Sequence, residues 1–404
     1  MMRTVIVGAG QAGRRTAECL RSLDSEREIL LLGNEDELPY DRPPLSKEVL
    51  LGEERPHGLT LRSSEFFKKQ RIDVRLGTLV TRLNITSAHV ETQMGDIVPY
   101  DSLVVATGAR ARTLSFVDDD PRVLTLRSLA DAQALRRNLR PGLRLAIIGG
   151  GLIGLEVAAA ATKHGCVVTV LELADRVMAR CVPPLISERV ERWHRAAGVE
   201  FRLTCPVRDV KPEQRCLRIA TDKEEIEVDL LLVAIGAIPN TALCSEAGVE
   251  IQDGILVDQC GRTSAPSIFA AGEVACVHQT SGGYKRFETW QIAQYQPVAV
   301  AHAICGLDRP YLELPWHWTN QYEHNIQILG DSSMRLEWLQ RHDTNGRLAA
   351  LGIDSAGQVR SAVLVDNGRD VTPLRRLIVA NCPIARDRLL DTSLPFKRLL
   401  VEKS

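Results

Sequence analysis

The sequence predicts an α/β fold: two Rossmann-like dinucleotide-binding domains followed by a small α+β C-terminal domain. Three observations carry this. A glycine fingerprint, Gly8-Ala9-Gly10-Gln11-Ala12-Gly13, lies between a β-branched run and a helical stretch. The pattern returns as Gly149-Gly150-Gly151-Leu152-Ile153-Gly154, in the same context. From about Trp316 the texture changes to short alternating stretches separated by Gly, Asp and Asn, the pattern of a small antiparallel sheet.

Each element follows from its residues. Arg3–Val7 and Glu28–Leu32 are short apolar runs flanking the first turn, with a helix over Arg14–Leu23. Leu143–Ile148 and Val167–Leu171 repeat them around an Ala-rich helix reaching about Lys163. A buried strand that ends in glycine follows each unit, Leu103–Gly108 and Leu230–Gly236. A third such stretch, Ser267–Gly272, is placed to return late and complete the first domain. The C-terminal strands are Asn325–Leu329, Arg335–Gln340, Leu348–Ile353 and Ser361–Val365, before a mixed, amphipathic tail over Asp387–Ser404. The expected domains are therefore 1–110 with 240–315, 111–239, and 316–404.

Composition excludes several classes. Of 404 residues, 45% are hydrophobic and 25% charged, an ordinary globular balance, so wholesale disorder and fibrous repeats are out. Fifty basic residues against 51 acidic ones leave no global basic field to hold a nucleic-acid backbone. The longest uncharged apolar run, Leu145–Leu155, is too short and too glycine-rich for a membrane span. The apolar start runs straight into glycines without a cleavage site, so a cytoplasmic location is expected. Ten cysteines are scattered, the closest pair being Cys205 and Cys216, which gives no CxxC, zinc or iron–sulfur spacing. No histidine pair has metal-binding spacing, so no metal site is expected.

The fingerprints carry a mechanism. The first glycine makes a tight turn, the second lets a pyrophosphate approach the backbone, and the third lets helix and strand pack closely. The helix N-terminus offers free amides and positive dipole to the phosphates. After the second unit Glu172 stands where a carboxylate meets the ribose hydroxyls and repels a 2′-phosphate, which predicts NADH over NADPH. Arg176, four positions on, is the competing feature. After the first unit either Asn34 or Glu35 is placed for a ribose. Two such sites on one chain point to a flavin and a nicotinamide nucleotide exchanging hydride. Non-covalent FAD is expected on the N-terminal unit and NADH, as substrate, on the second. Lys47, after the proline-stiffened Pro39–Pro44 stretch, and Glu156, just inside the second unit's helix, are the candidate catalytic pair. They would position the nicotinamide without acting as acid or base.

At this point the chain resembles, over essentially its whole length, the FAD-containing, NADH-dependent ferredoxin reductases of multicomponent oxygenases. This group includes putidaredoxin reductase and the reductases of aromatic-ring dioxygenases, flavoproteins with a glutathione-reductase-like architecture. The resemblance rests on Pro39-Tyr40-Asp41-Arg42-Pro43-Pro44-Leu45-Ser46-Lys47, Ala106-Thr107-Gly108, GGGLIGLE at Gly149–Glu156 and AIGAIPN at Ala234–Asn240. It rests also on FAAGEVA at Phe269–Ala275, Glu288-Thr289-Trp290, and PWHWTNQY at Pro315–Tyr322. It implies that Gly8, Gly10, Ala12 and Gly13 hold the FAD pyrophosphate and Asn34 the adenosine ribose, with Glu35 as the alternative. Arg42, Lys47, Val80, Ala106, Thr107, Gly108 and Arg127 would surround the flavin nucleotide. Gly272 and Glu273 would meet the ribityl chain or pyrophosphate, and Trp290 the isoalloxazine. Gly149, Gly151, Leu152, Ile153, Gly154, Glu156, Glu172, Ile235 and Gly236 would face NADH.

The chain departs from that pattern at Glu273 and Asn320, where the family usually has Asp, and at Asn34, which replaces a usual acidic residue. The resemblance implies a reductase that takes hydride from NADH and feeds a [2Fe–2S] ferredoxin one electron at a time, as a monomer or weak dimer. Basic side chains such as Lys285 and Arg286 would meet an acidic ferredoxin. Two rivals remain. A cysteine-dependent NADH oxidase or disulfide reductase needs a redox cysteine after the first unit, yet 34–60 contains none. A redox-signalling flavoprotein of the apoptosis-inducing-factor type shares much of the architecture.

Overall fold

The computed structural model describes residues 2–53, 56–117, 120–331, 335–342 and 347–399. Two compact units emerge. The first comprises Met1–Arg42, Pro56–Arg110 and Ala237–Glu313, and the second Pro43–Arg55, Ala111–Gly236 and Leu314–Ser404.

The first unit is built on a parallel five-stranded sheet in the order Ile268–Ala270, Ser102–Val105, Arg3–Val7, Glu28–Leu32, Ile72–Arg75. Ile268–Ala270 pairs with Leu103–Val105, so the late segment does complete this sheet. All but the edge strand Ile72–Arg75 are buried on nearly every residue because both faces are covered. Val5, Leu30 and Leu103 pack to one side, Ile6, Leu31 and Val104 to the other. Helix Gln11–Leu23 begins at the glycine turn, one turn earlier than its polar residues suggest, and packs on helix Trp290–Ile304. Smaller sheets, Val80–Asn84 with His89–Thr92 and Ile97–Pro99, and Gly254–Val257 with Ala275–His278, complete the unit.

The second unit repeats the plan. Its parallel sheet runs Glu200–Arg202, Val167–Leu171, Arg144–Ile148, Leu230–Val233, Val123–Leu124. The duplication extends to single hydrogen bonds. Gly8 N donates to Leu32 O at 2.8 Å as Gly149 N does to Leu171 O at 2.9 Å; Ala106 N donates to Val7 O as Ala234 N does to Ile148 O, both at 2.8 Å.

The C-terminal region is an antiparallel five-stranded sheet ordered Trp316–Gln321, His324–Gly330, Val359–Val365, Leu348–Ile353, Glu337–His342. Helix Val371–Ala380 seals one face through Leu374, Leu377 and Ile378. Of the amphipathic tail, Arg386–Leu390 is helical and Leu389, Phe396 and Leu399 are buried in the same core, whereas 400–404 lie outside the described residues. Among the described residues no helix is long and apolar enough to cross a membrane.

Candidate functional site

The two glycine turns show what each glycine is for. At Gly8, φ is +114° and a Cβ would lie 2.2 Å from the Ala106 carbonyl oxygen; at Gly149, φ is +110° and the clash is with Ala234 O at 2.4 Å. The strand end that follows each unit therefore lies against its turn, a close approach only glycine permits. At Gly13 and Gly154 a Cβ would sit 1.9 and 2.1 Å from the carbonyl oxygen of the first glycine. At Gly10 and Gly151, by contrast, a Cβ would meet nothing within 4 Å. Neither middle glycine is required by the chain's own packing, and each faces open space at a helix N-terminus, the cradle a pyrophosphate fills.

In the first unit the turn gathers several of the expected residues. Gly272 is pressed on Ala12, a Cβ there lying 2.8 Å from the Ala12 methyl, which sets Glu273 in the 3₁₀ turn beside the fingerprint helix. Gln296, fully buried, accepts the Gly272 amide at 2.8 Å through Oε1, while its Nε2 is buried with no partner. An orphaned buried donor beside the cradle fits a polar ligand, and Gln296 carries no motif that would reveal it in the sequence. Thr107 donates to Asn240 O at 2.8 Å and accepts its amide through Thr107 O at 2.9 Å, locking the ATG strand end to the AIPN motif. Gly33, not an acidic residue, occupies the register position that Glu172 holds in the second unit. A Cβ on Gly33 would lie 2.6 Å from the Ala9 methyl, so no side chain fits there. Asn34 follows it and is exposed.

Glu35 is committed elsewhere. Its carboxylate accepts from Tyr40 Oη and from Arg42 Nη2, both at 2.6 Å, with the Arg42 guanidinium 5.0 Å over the Tyr40 ring. Val80 lies in the hydrophobic core, so only its backbone can serve a ligand. Trp290, half-buried at the start of its helix, donates from Nε1 to Asp41 Oδ1 at 3.0 Å. Lys47 and Arg127, expected around the flavin, belong to the second unit, where Arg127 precedes the Ser128–Asp131 capping box. Arg286 does not offer the free surface charge expected of it. Its side chain is only 7% exposed and pairs with Asp253 at 3.2 Å and Glu288 at 2.7 Å.

In the second unit Glu172 caps the turn. Its Oε2 accepts from Gly150 N at 2.6 Å and its Oε1 from Ala174 N at 2.8 Å. Arg176 is turned away into its own loop, donating to Val182 O and Ser187 Oγ at 2.8 Å and to Ala179 O at 2.9 Å. Ile153 and Leu173, two and one residues beyond Gly151 and Glu172, are exposed apolar side chains at the same rim. Gly236, at φ +107°, lies three residues beyond strand Leu230–Val233, with Ile235 half-buried before it.

Lys47 and Glu156 meet. Lys47 Nζ lies 3.0 Å from Glu156 Oε2, with their side chains 12% and 3% exposed. Ser46 Oγ donates to the same oxygen, and Thr319 Oγ1 donates to Oε1 at 2.6 Å. Nothing in the spacing of the motifs announces Ser46 or Thr319. The only metal-like grouping among the described residues, Glu213, Cys216 and Glu227, has Arg218 beside it, 2.7 and 3.7 Å from the two carboxylates. All ten cysteines are free thiols; burial pushes Cys19, on the fingerprint helix, upward and Cys244 to about 12.

Comparison with known proteins bears on the family and the fold. Residues 2–296 match the pyridine nucleotide-disulphide oxidoreductase family and residues 316–400 the reductase C-terminal family. The chain is 39% identical over 400 residues to the anthranilate 1,2-dioxygenase system ferredoxin–NAD(+) reductase component of Burkholderia cepacia, covering 98% of both chains. It is 38% identical to the 3-phenylpropionate/cinnamic acid dioxygenase ferredoxin–NAD(+) reductase component of Photorhabdus laumondii, covering 93% of this chain and 95% of that one. Putidaredoxin reductase, in its covalent complex with putidaredoxin, superposes with a TM-score of 0.94 at 32% identity over 99% of this chain and 98% of that one. The water-forming NADH oxidase of Lactobacillus brevis, at 22% identity, TM-score 0.89 and 99% and 97% coverage, shares the fold. The chain belongs to the pyridine nucleotide-disulphide oxidoreductase family, alongside the ferredoxin–NAD(+) reductase components of aromatic-ring dioxygenase systems.

Proposed function

We propose that the protein is the ferredoxin reductase component of an aromatic-ring dioxygenase system, oxidising NADH on FAD and reducing a [2Fe–2S] ferredoxin. The observation that carries this reading is full-length likeness, fingerprints and C-terminal domain included, to reductases named for that role, together with the absence of any cysteine in 34–60. That absence separates the chain from the disulfide-exchanging branches of its family. When bound, FAD supplies the conversion of a two-electron hydride donor into one-electron steps.

The chain's own contribution is binding and orientation. The open faces of Gly10 and Gly151 receive the two pyrophosphates, and Asn34 takes the flavin's ribose because Glu35 is held by Tyr40 and Arg42. Glu172 binds the NADH ribose, its acidic end pinned by two backbone amides. The Lys47–Glu156 pair, with both charges buried, orients the nicotinamide.

The test is anaerobic mixing of the FAD-loaded protein with NADH, then with ferredoxins and with glutathione or thioredoxin disulfides in parallel. Ferredoxin reduction at a rate comparable to that of flavin reduction is expected. Faster reduction of disulfides than of every ferredoxin tried would overturn the assignment.

A further inference from the structure

We infer that strand Trp316–Gln321 is a positioning element of the nicotinamide site, acting through a one-directional hydrogen-bond chain that ends on Glu156. The inference rests on the role given above to Lys47 and Glu156.

The chain is continuous. Tyr322 Oη lies 3.1 Å from His194 Nδ1, and His194 Nε2 lies 2.9 Å from Gln321 Oε1. Gln321 Nε2 lies 3.2 Å from Thr319 Oγ1, and Thr319 Oγ1 lies 2.6 Å from Glu156 Oε1. Its direction follows from the far end. A carboxylate paired with an ammonium accepts only, so Thr319 donates to Glu156 and must accept from its other neighbour. Gln321 therefore turns its amide nitrogen to Thr319 and its oxygen to His194. His194 then carries its proton on Nε2 and leaves Nδ1 bare, to accept from Tyr322. Every donor points toward Glu156, an arrangement in which each bond polarises the next.

The surroundings agree. Thr319, Gln321 and His194 are at most 1% exposed, so each depends on these hydrogen bonds to satisfy its buried polar atoms. Burial pushes His194 down to about 4, so the ring is neutral at working pH, as a bare Nδ1 requires. The second amide hydrogen of Gln321 faces Met178 Sδ at 3.9 Å. With Lys47 and Ser46 on Oε2 and Thr319 on Oε1, both carboxylate oxygens are held, so the lysine ammonium is fixed from the far side of the strand. Thr319, Gln321, His194 and Tyr322 act only through Glu156; they are positioning residues.

The test uses Thr319→Val, Thr319→Ser, Tyr322→Phe and Glu156→Gln in the FAD-loaded full chain. Stopped-flow reduction by NADH should show the limiting rate falling about 10-fold in Thr319→Val, the effect of one hydrogen bond to a charged group, with the NADH dissociation constant little moved. Thr319→Ser should return the wild-type rate. A wild-type rate in Thr319→Val, while Glu156→Gln slows reduction, overturns this inference alone; a wild-type rate in Glu156→Gln overturns the reading of the pair and this inference with it. Independently of turnover, long-range ¹⁵N–¹H NMR should find His194 as the neutral Nε2–H tautomer at pH 7, with its Nδ1 resonance shifted in Tyr322→Phe. A proton on Nδ1, or an imidazolium, would overturn the chain even where a variant fails to fold.

Discussion

The carboxylate of Glu172 holds the backbone amide of Gly150 at 2.6 Å, clamping the acidic end of strand Val167–Leu171 to the second glycine turn. Arg176 is tied to Val182, Ser187 and Ala179 and so is not free to offset a 2′-phosphate beside that carboxylate. A penalty of roughly 2–4 kcal/mol from the like charges corresponds to about 30- to 1,000-fold in kcat/KM for NADH over NADPH. Glu172→Ala should narrow that ratio, mainly by lowering the KM for NADPH. Equal efficiencies with both nucleotides in the wild type would show that the carboxylate is not at the ribose.

The middle and last glycines of a fingerprint should fail differently. Gly10→Val adds atoms where the chain has none within 4 Å, so the apoprotein should melt near the wild-type temperature yet purify colourless. Gly13→Val drives a Cβ to 1.9 Å from Gly8 O, and the required backbone shift should cost about 3 kcal/mol or more. Flavin absorbance and thermal melting of the two apoproteins distinguish them; an equal loss of stability would deny the open cradle.

Lys47→Met strands the buried Glu156 carboxylate among hydroxyl donors. Unfolding in urea should show a loss of about 3–5 kcal/mol, with the Lys47→Met/Glu156→Gln double variant recovering part of it. Additive losses would mean that the two groups do not interact.

His194 and His317 set an acid limit on stability. Burial pushes both down to about 4 from an ordinary 6.5. The unfolded chain therefore binds their protons first, and stability is full above about pH 6.5 and falls as pH drops toward 4. The loss approaches 3 kcal/mol for the fully buried His194 and is smaller for His317, which is only half-buried. Urea midpoints at pH 7, 6 and 5 measure it, and His317→Phe should flatten the slope. A stability independent of pH over that range would show the rings to be solvated.

Ferredoxin reduction should slow as salt rises while NADH-driven flavin reduction hardly changes, since charge mainly sets the on-rate of transient contacts. Arg286→Ala should instead lower stability by about 1–3 kcal/mol, because its guanidinium is enclosed between Asp253 and Glu288. A ferredoxin-specific rate loss in Arg286→Ala at unchanged stability would contradict the structure.

What the sequence alone determined is local. Gly8, Gly10 and Gly13, and their repeats at Gly149, Gly151 and Gly154, are legible because a turn, a strand and a helix within a few residues dictate them, and the acidic strand end at Glu172 follows from the same register. The late strand Ile268–Ala270 is legible too, since a short apolar run has to join a sheet already begun. Tertiary structure alone decided the rest. Ser46 and Thr319 converge on Glu156 from distant parts of the chain; Glu35 is engaged by Tyr40 and Arg42; Arg286 is enclosed by Asp253 and Glu288. Each depends on which polar groups burial forces together, and that pairing is set by the packing of whole elements, not by the residues beside each one.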